Sequence, residues 1–183
     1  MAFAGFPIGG SAAYLLLGPV EAVGTAALGG AVTGAAIGAA QWLVLRRRLP
    51  LSGLWVAATA AGMAVGMILG QLVLGDDTAA MPLLLRGLLT GAAIGIPQAV
   101  LLRGVLPTPV IWAAVVTLGW AVAWSVTAAF GIDLARKWAV FGTSGALVFQ
   151  LATGLTLAFL LAQAARTRAP AHQRRPVASG KGG

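Results

Sequence analysis

The chain has 183 residues, of which 59% are hydrophobic and only 9% are charged, and its mean hydropathy is +0.92. Soluble domains carry about 25% charged residues, so this composition excludes a water-soluble globular domain, a disordered chain and a coiled coil. The class that fits is a membrane protein that crosses the bilayer several times. The net charge of +8 comes from basic residues spread over separate loops, which is typical of membrane topology and not of a nucleic-acid partner.

Six stretches of the chain are apolar and about as long as a membrane-spanning helix, which needs about 20 residues. Charged segments and Pro- or Gly-containing segments separate them. The first stretch is short, but it lacks the positively charged start of a signal peptide, so we predict a retained helix. An all-α bundle of six transmembrane helices, over residues 1–165, is therefore the expected fold. The spans run near 3–20, 24–45, 53–74, 81–102, 109–131 and 138–164.

The distribution of the cations predicts how this bundle is oriented. If the even-numbered spans end in the cytoplasm, nine of the 12 Lys and Arg residues lie on the cytoplasmic side, and all four acids lie on the other. Because Lys and Arg are retained in the cytoplasm, we expect a cell-membrane protein with both termini cytoplasmic. The segment 166–183 is basic and rich in Pro and Gly, so we expect a disordered tail that contacts anionic lipid.

Two segments of the chain are similar to each other. Residues 30–66 align without gaps on residues 87–123, at an offset of 57, and 17 of the 37 aligned positions are identical. The best-matched part is Thr-Gly-Ala-Ala-Ile-Gly, which begins at Thr33 and again at Thr90. Each unit contains two predicted helices, so both copies should have the same orientation in the membrane. The sequence thus predicts two parallel helical-hairpin repeats.

The repeated pattern Gly-x-x-x-Gly-x-x-Gln-(Trp)-x-x-Leu-Arg begins at Gly34 and recurs at Gly91. In this pattern the chain resembles a group of uncharacterised bacterial multi-pass membrane proteins, over roughly residues 30–160. The second copy departs from the pattern, with Ala99 where the first has Trp42. The resemblance implies a fold and no catalytic activity.

Glycines recur every four residues in three of the predicted spans. Each row drifts by about 40° per step around a helix, so it forms a stripe along which two helix backbones approach closely. We interpret the stripes as sites of tight packing, and a narrow glycine-lined conduit is the alternative. The rows are Gly30, Gly34 and Gly38; Gly62, Gly66 and Gly70; and Gly87, Gly91 and Gly95.

Four polar residues within the spans are candidates for a site. Gln41 and Gln98 continue two of the glycine stripes, and Gln150 lies on one face with Ala146 and Gly154. Buried amides usually bond a neighbouring helix, and the alternative is a polar path through the membrane. Arg86 should snorkel, pair with an acid or contact an anionic substrate.

The tryptophans near the ends of the spans are interpreted as interfacial anchors. They include Trp55 and Trp112, which occupy aligned positions in the two repeats.

Nothing in the sequence points to catalysis. The chain has no cysteine, its single histidine lies in the polar tail, and no cluster of metal ligands or phosphate-binding loop is present. We therefore expect a non-catalytic integral membrane protein without a cofactor that serves as a packing or accessory subunit of a membrane assembly. Its expected partners are the lipid bilayer and another membrane protein. The alternative hypothesis is a small-solute or ion transporter or channel, with Gln41, Gln98 and Gln150 lining the path and Arg86 near its mouth.

Overall fold

The computed structural model describes residues 2–130 and 140–168. Within these residues the chain forms six α-helices and a short 3-10 turn (Ala2–Ala4), and the described ranges contain no β-strand. The predicted all-helical fold is therefore confirmed. The helices are α1 (Gly5–Leu17), α2 (Val23–Leu45), α3 (Leu54–Leu74), α4 (Ala80–Leu101), α5 (Pro109–Ala129) and α6 (Thr143–Arg168).

Five of these helices, α2 to α6, are long and apolar enough to cross a membrane. The molecule is thus a multi-pass helical membrane protein. Successive helices pack against one another in chain order, and α6 also contacts α1 and the 3-10 turn. Because consecutive helices run in opposite directions, the bundle has two chemically different ends. We call them the arginine end, with Arg46, Arg47, Arg48, Arg103 and Arg166, and the acidic end, with Glu21, Asp76 and Asp77.

The first predicted span, near 3–20, requires a correction. Helix α1 ends at Leu17, because Gly18 takes a positive φ of 75° that ends the helical path and Pro19 follows it. Its 13 residues rise only about 20 Å, whereas the hydrocarbon core is about 30 Å thick. Helix α1 therefore crosses only part of the bundle.

The position of α1 along α2 shows which part it covers. Gly5, the first residue of α1, packs against Ile37 and Ala40. These residues precede the end of α2 at Leu45 by eight and five positions, or about 8–12 Å along the helix axis. Helix α1 thus begins inside the bundle, and the 3-10 turn that directly precedes it also contacts α2.

The last predicted span also differs from the structure at both ends. Helix α6 begins at Thr143 instead of 138, and it continues to Arg168, beyond the expected start of the tail. Val140 and Phe141 precede it and are buried. The residues 131–139, with Trp138 and three of the predicted loop charges, and the tail beyond 168 lie outside the described residues.

Aromatic side chains join α1 to the last two helices. Phe6 of α1 lies 6.3 Å from Trp120 of α5 and 5.6 Å from Phe149 of α6, measured between ring centroids. Phe141, in the segment before α6, lies 4.6 Å from Trp120 in an edge-to-face arrangement. Such arrangements contribute about 0.5–1.5 kcal/mol beyond the area they bury. The cluster closes the bundle between its first and last helices.

Candidate functional site

The glycine rows of α2 and α4 make equivalent contacts in the two hairpins, α2–α3 and α4–α5. A Cβ atom placed on Gly30 would lie 2.9 Å from Cα of Ala64, and one placed on Gly87 would lie 2.5 Å from Cα of Ala121. Gly87 and Ala121 follow Gly30 and Ala64 by the same 57 positions that separate the aligned segments. These distances leave no room for a side chain, so the helix backbones touch at these points.

The middle and last glycines of the two rows also lie in close contact with the facing helix of their hairpin. A Cβ on Gly34 would lie 2.7 Å from the carbonyl oxygen of Thr59, and one on Gly91 would lie 2.7 Å from Cα of Thr117. Gly38 and Gly95 likewise face α3 and α5. Both rows therefore lie in helix–helix contacts and not on the surface.

The third row, on α3, faces α4 in a less uniform way. Gly62 contacts the backbone of Ala93, and Gly66 contacts Thr90. Gly70 instead faces the side chain of Arg86, whose Cγ would lie 3.0 Å from a Cβ at that position. At Gly62 and Gly66 the backbones of α3 and α4 are therefore in close contact, and at Gly70 the missing side chain leaves space for Arg86.

A hydrogen bond from a tryptophan to a glutamine occurs once in each hairpin. The indole Nε1 of Trp55 donates to Oε1 of Gln41 at 3.2 Å, and Nε1 of Trp112 donates to Oε1 of Gln98 at 3.1 Å. Each tryptophan follows its glutamine by 14 residues, across the turn between the two helices. The Trp55 and Trp112 rings lie 6.1 Å apart between centroids, so the two hydrogen-bonded pairs are neighbours.

Thr59 connects these pairs across the two hairpins. Nε2 of Gln98 donates to Oγ1 of Thr59 at 2.9 Å, and the Thr59 hydroxyl donates to the carbonyl oxygen of Trp55 at 2.8 Å. Gln98 is only 1% exposed, and both its carbonyl and its amide group have protein partners. The arrangement is a hydrogen-bonded polar cluster that joins the two hairpins. We call Gln41, Trp55, Thr59, Gln98 and Trp112 the polar cluster.

The two tryptophans of the polar cluster were not expected in this role. Their places near the span ends predict interfacial anchors, but Trp55 and Trp112 are 1% and 4% exposed, so they belong to the core. A tryptophan near a span end is compatible with either position. The signal that identifies their role is the shared 14-residue spacing from Gln to Trp in both copies.

Gln150 does not join the other two glutamines. Gln41 and Gln98 lie four and three residues before the ends of α2 and α4, within about 6 Å of the arginine end. Gln150 lies seven residues into α6, about 10 Å from the opposite end. Its Nε2 is buried without a hydrogen-bond partner among the described residues, and the same holds for Ser144 Oγ of α6 and for Trp124 Nε1 and Thr127 Oγ1 of α5. The predicted set of three amides is therefore divided between the two halves of the bundle.

Arg86 is engaged with the protein's own groups at the acidic end. Its side chain is 7% exposed, and Nη2 donates to the carbonyl oxygen of Gly75, which caps the C-terminus of α3. Cations are favourable at this end of a helix, where carbonyl groups lack helical partners. Asp76 interacts electrostatically with the guanidinium group and accepts a hydrogen bond from Gln71 Nε2 at 2.9 Å. Arg86 thus ties α4 to the end of α3.

Within residues 2–130 and 140–168, no group of three or more His, Cys, Asp or Glu residues is arranged to hold a metal ion. Comparisons of the chain with protein-family models, curated proteins and solved structures found no match. The interpretation of the polar cluster and of Arg86 therefore depends on their own geometry.

Proposed function

We propose that the chain is a non-catalytic integral membrane protein that serves as a packing or accessory subunit of a membrane assembly. The observation that supports this most directly is Gln98. Its carbonyl oxygen and its amide nitrogen each have a partner within the protein and its side chain is 1% exposed, so little of it is accessible to a solute. Its geometry is that of an interhelical hydrogen bond, which stabilises helix contacts in membranes.

The charges and the glycine contacts favour the same proposal. In the described helices, Arg86 is the only charged residue that precedes Arg166, and it bonds the end of α3. At Gly34 and Gly91 even a methyl group would overlap the facing helix. A solute path along these stripes would need space that the helix backbones occupy.

The alternative, a small-solute or ion transporter, has one observation in its favour. The Gln150 Nε2 atom is buried and has no hydrogen-bond partner in the described part of the chain, as expected of an amide that binds a ligand. Gln41 and Gln98, however, lie at the other end of the bundle and donate or accept bonds within it. The alternative therefore requires a path that involves Gln150 without the polar cluster.

A pair of measurements on Gln98→Leu separates packing from transport. Liposomes containing the wild-type protein should swell in small polyols no faster than protein-free liposomes, and the variant should unfold at a lower temperature in detergent. Gln71→Leu is the matched control, because this amide lies at the acidic end and outside the polar cluster. Wild-type swelling that both Gln41→Leu and Gln98→Leu abolish, at unchanged stability, would establish a channel instead.

The accessory role has its own test. The protein extracted from its native membrane with a polymer belt should migrate as a complex larger than the 18.3 kDa chain and its lipid belt. A second protein should be present at a fixed ratio, and the complex should form again from the two purified components. A chain that migrates alone under these conditions contradicts the proposal.

We infer further that the arginine end faces the cytoplasm of a cell membrane, with both termini on that side. The support is the excess of Lys and Arg on one side of the bundle, nine against three. A fluorescent protein fused after Gly183 should fluoresce, and alkaline phosphatase fused after Gly75 should be active outside the cytoplasm. A dark C-terminal fusion or an inactive phosphatase contradicts this orientation.

A further inference from the structure

A pocket opens at the arginine end between three parts of the chain. Its walls are the turn between α2 and α3 at Arg48–Pro50, the turn between α4 and α5 at Gly104 and Val105, and the last turns of α6 at Leu161, Ala164 and Ala165. Gly104 has φ 83°, which bends the second turn next to the pocket. Most of the lining side chains are apolar, and Arg48 is the one charged residue among them.

The surroundings of this pocket are strongly basic. Arg46, Arg47, Arg48, Arg103 and Arg166 are all exposed at this end, and the acids of the described residues lie at the opposite end. A ligand that fits must therefore combine a negative charge with an apolar portion. It must also be present where the ends of membrane helices meet the bilayer surface.

We propose that this pocket binds an anionic phospholipid, with the phosphate at Arg48 and the start of one acyl chain between the two turns and α6. Basic pockets between membrane helices recognise anionic headgroups in this way. The apolar walls at Leu49, Val105 and Leu161 can pack against an acyl chain, and Arg48 supplies the charge that selects an anionic headgroup.

The chain's own tail is a poor competitor for the site. It follows α6 directly, but residues 169–183 contain Arg174, Arg175 and Lys181 and no acid. Its charge has the same sign as that of the arginine end, so their electrostatic interaction is repulsive. Complementary charge thus favours the lipid over the tail.

The probe is dioleoyl phosphatidylglycerol titrated into the purified full-length protein in a neutral detergent. Native mass spectrometry reports the bound lipid, and thermal unfolding reports the stabilisation that binding produces. Phosphatidylcholine of the same chain length tests the need for charge, and glycerol 3-phosphate tests the headgroup without acyl chains. We expect one phosphatidylglycerol retained preferentially, weaker retention of phosphatidylcholine, and no effect of glycerol 3-phosphate.

Two matched pairs of variants assign the site. Arg48→Gln should weaken phosphatidylglycerol binding about fivefold, whereas Arg47→Gln, in the same turn but outside the pocket lining, should change it by less than about twofold. Ala165→Phe should fill the pocket and abolish retention without altering charge. Ala162→Phe, at another exposed position of α6, should leave it unchanged.

The outcomes are distinguishable. Equal losses in Arg47→Gln and Arg48→Gln, with no loss in Ala165→Phe, would mean diffuse attraction of lipid to the arginine end and would overturn the proposal. Binding of glycerol 3-phosphate as strong as that of the lipid, or equal retention of phosphatidylcholine, would overturn it as well. Ala165 is exposed, so Ala165→Phe should fold, and its lipid-free unfolding midpoint shows whether it does.

Discussion

The two hairpins, α2–α3 and α4–α5, are built from the same contacts but place their glutamines in different surroundings. Gly30 faces Ala64 as Gly87 faces Ala121, and each hairpin has a tryptophan that donates to a glutamine. Yet Gln98 is 1% exposed and bonded at both ends of its amide. Gln41 is half-buried, and Trp55 is its one hydrogen-bond partner among the described residues.

The difference originates outside the hairpins, in the helix that precedes each of them. Helix α3 extends along α4 and supplies Thr59, three residues before Gly62. The equivalent contact of α1 with α2 is made by Gly5, which faces Ile37 as Gly62 faces Ile94. Three residues before Gly5 is Ala2, in a 3-10 turn, and alanine has no hydroxyl group to accept from an amide.

The comparison shows that aligned residues take different roles when the helix that packs against them carries a different residue at the contact. The glycine contacts depend only on the two helices of a hairpin, so they are the same in both copies. The glutamine environment depends on a third helix, so it differs. Variants at aligned positions therefore test which properties belong to the hairpin and which to its surroundings.

The largest loss of stability is expected at the glycine contacts, where the two hairpins are most alike. Gly34→Leu and Gly91→Leu should each lower the free energy of unfolding by about 3 kcal/mol or more, because overpacking is costly and here meets backbone atoms. The losses should agree within about 1 kcal/mol. Equilibrium unfolding in mixed micelles measures them.

The control for this pair is Gly154→Leu. Gly154 is exposed on α6 and would have nothing within 4 Å of an added Cβ, so this change should have little effect. A large loss at Gly91 with none at Gly34 would show that the two contacts are not equivalent.

The second largest loss of stability is expected at the glycines that end α1 and α3. They allow the helix pair α1–α2 to be compared with the pair α3–α4. Gly18 and Gly75 are 57 positions apart and have φ 75° and 58°, a region that other residues rarely adopt. Gly18→Ala and Gly75→Ala should each cost about 1–3 kcal/mol of strain. Gly53→Ala, at φ −59° with open space around it, should be neutral or slightly stabilising. Thermal unfolding of the three variants would refute the strain argument if all midpoints were equal.

The sequence predicted the regular parts of the molecule well, because their boundaries have local causes. Charged residues, prolines and glycines interrupt the apolar runs, and four helices begin and end within two residues of the predicted spans. The predicted first span extends three residues past the end of α1, because the apolar run continues to Val20 although Gly18 and Pro19 end the helix. The level at which α1 meets α2 depends on tertiary packing.

The candidate site was predicted only in part. The glutamines could be placed on the glycine stripes from helical periodicity alone. Their partners could not, because periodicity does not say which way a tryptophan near a span end points. The predicted spans already place Gln150 farther from the arginine end than the other two amides, and the start of α6 at Thr143 leaves it only seven residues into that helix.

The third effect addresses the glutamines directly. Gln98→Leu should cost about 1.5 kcal/mol, since it leaves the buried Trp112 indole without an acceptor, and membrane hydrogen bonds reach about 1.7 kcal/mol at most. Gln41→Leu should cost about 0.6 kcal/mol, the average for such bonds. A double-mutant cycle of Gln98→Leu with Trp112→Phe isolates the bond. A greater loss at Gln41 than at Gln98 contradicts the assignment of the buried, doubly bonded amide as the stronger contact.

The smallest loss of stability is expected for the hydrogen bond from Gln98 to Thr59, which has no counterpart at Gln41. Thr59 aligns with Val116, so Thr59→Val gives the first hairpin the residue that the second already has. The change removes the acceptor of Gln98 Nε2 and retains the shape of the side chain, and the expected cost is about 0.6 kcal/mol. Because the cost arises through Gln98, it should largely disappear in a Gln98→Leu background, where no amide remains to be left unpaired.

Thr117→Val is the matched control, since the Thr117 hydroxyl donates to the carbonyl oxygen of Ala113 in its own helix at 2.8 Å and not to a neighbouring helix within the described residues. Losses for Thr59→Val and Gln98→Leu that add in full would show that the two side chains act independently, and the bond between the hairpins would then contribute nothing to stability.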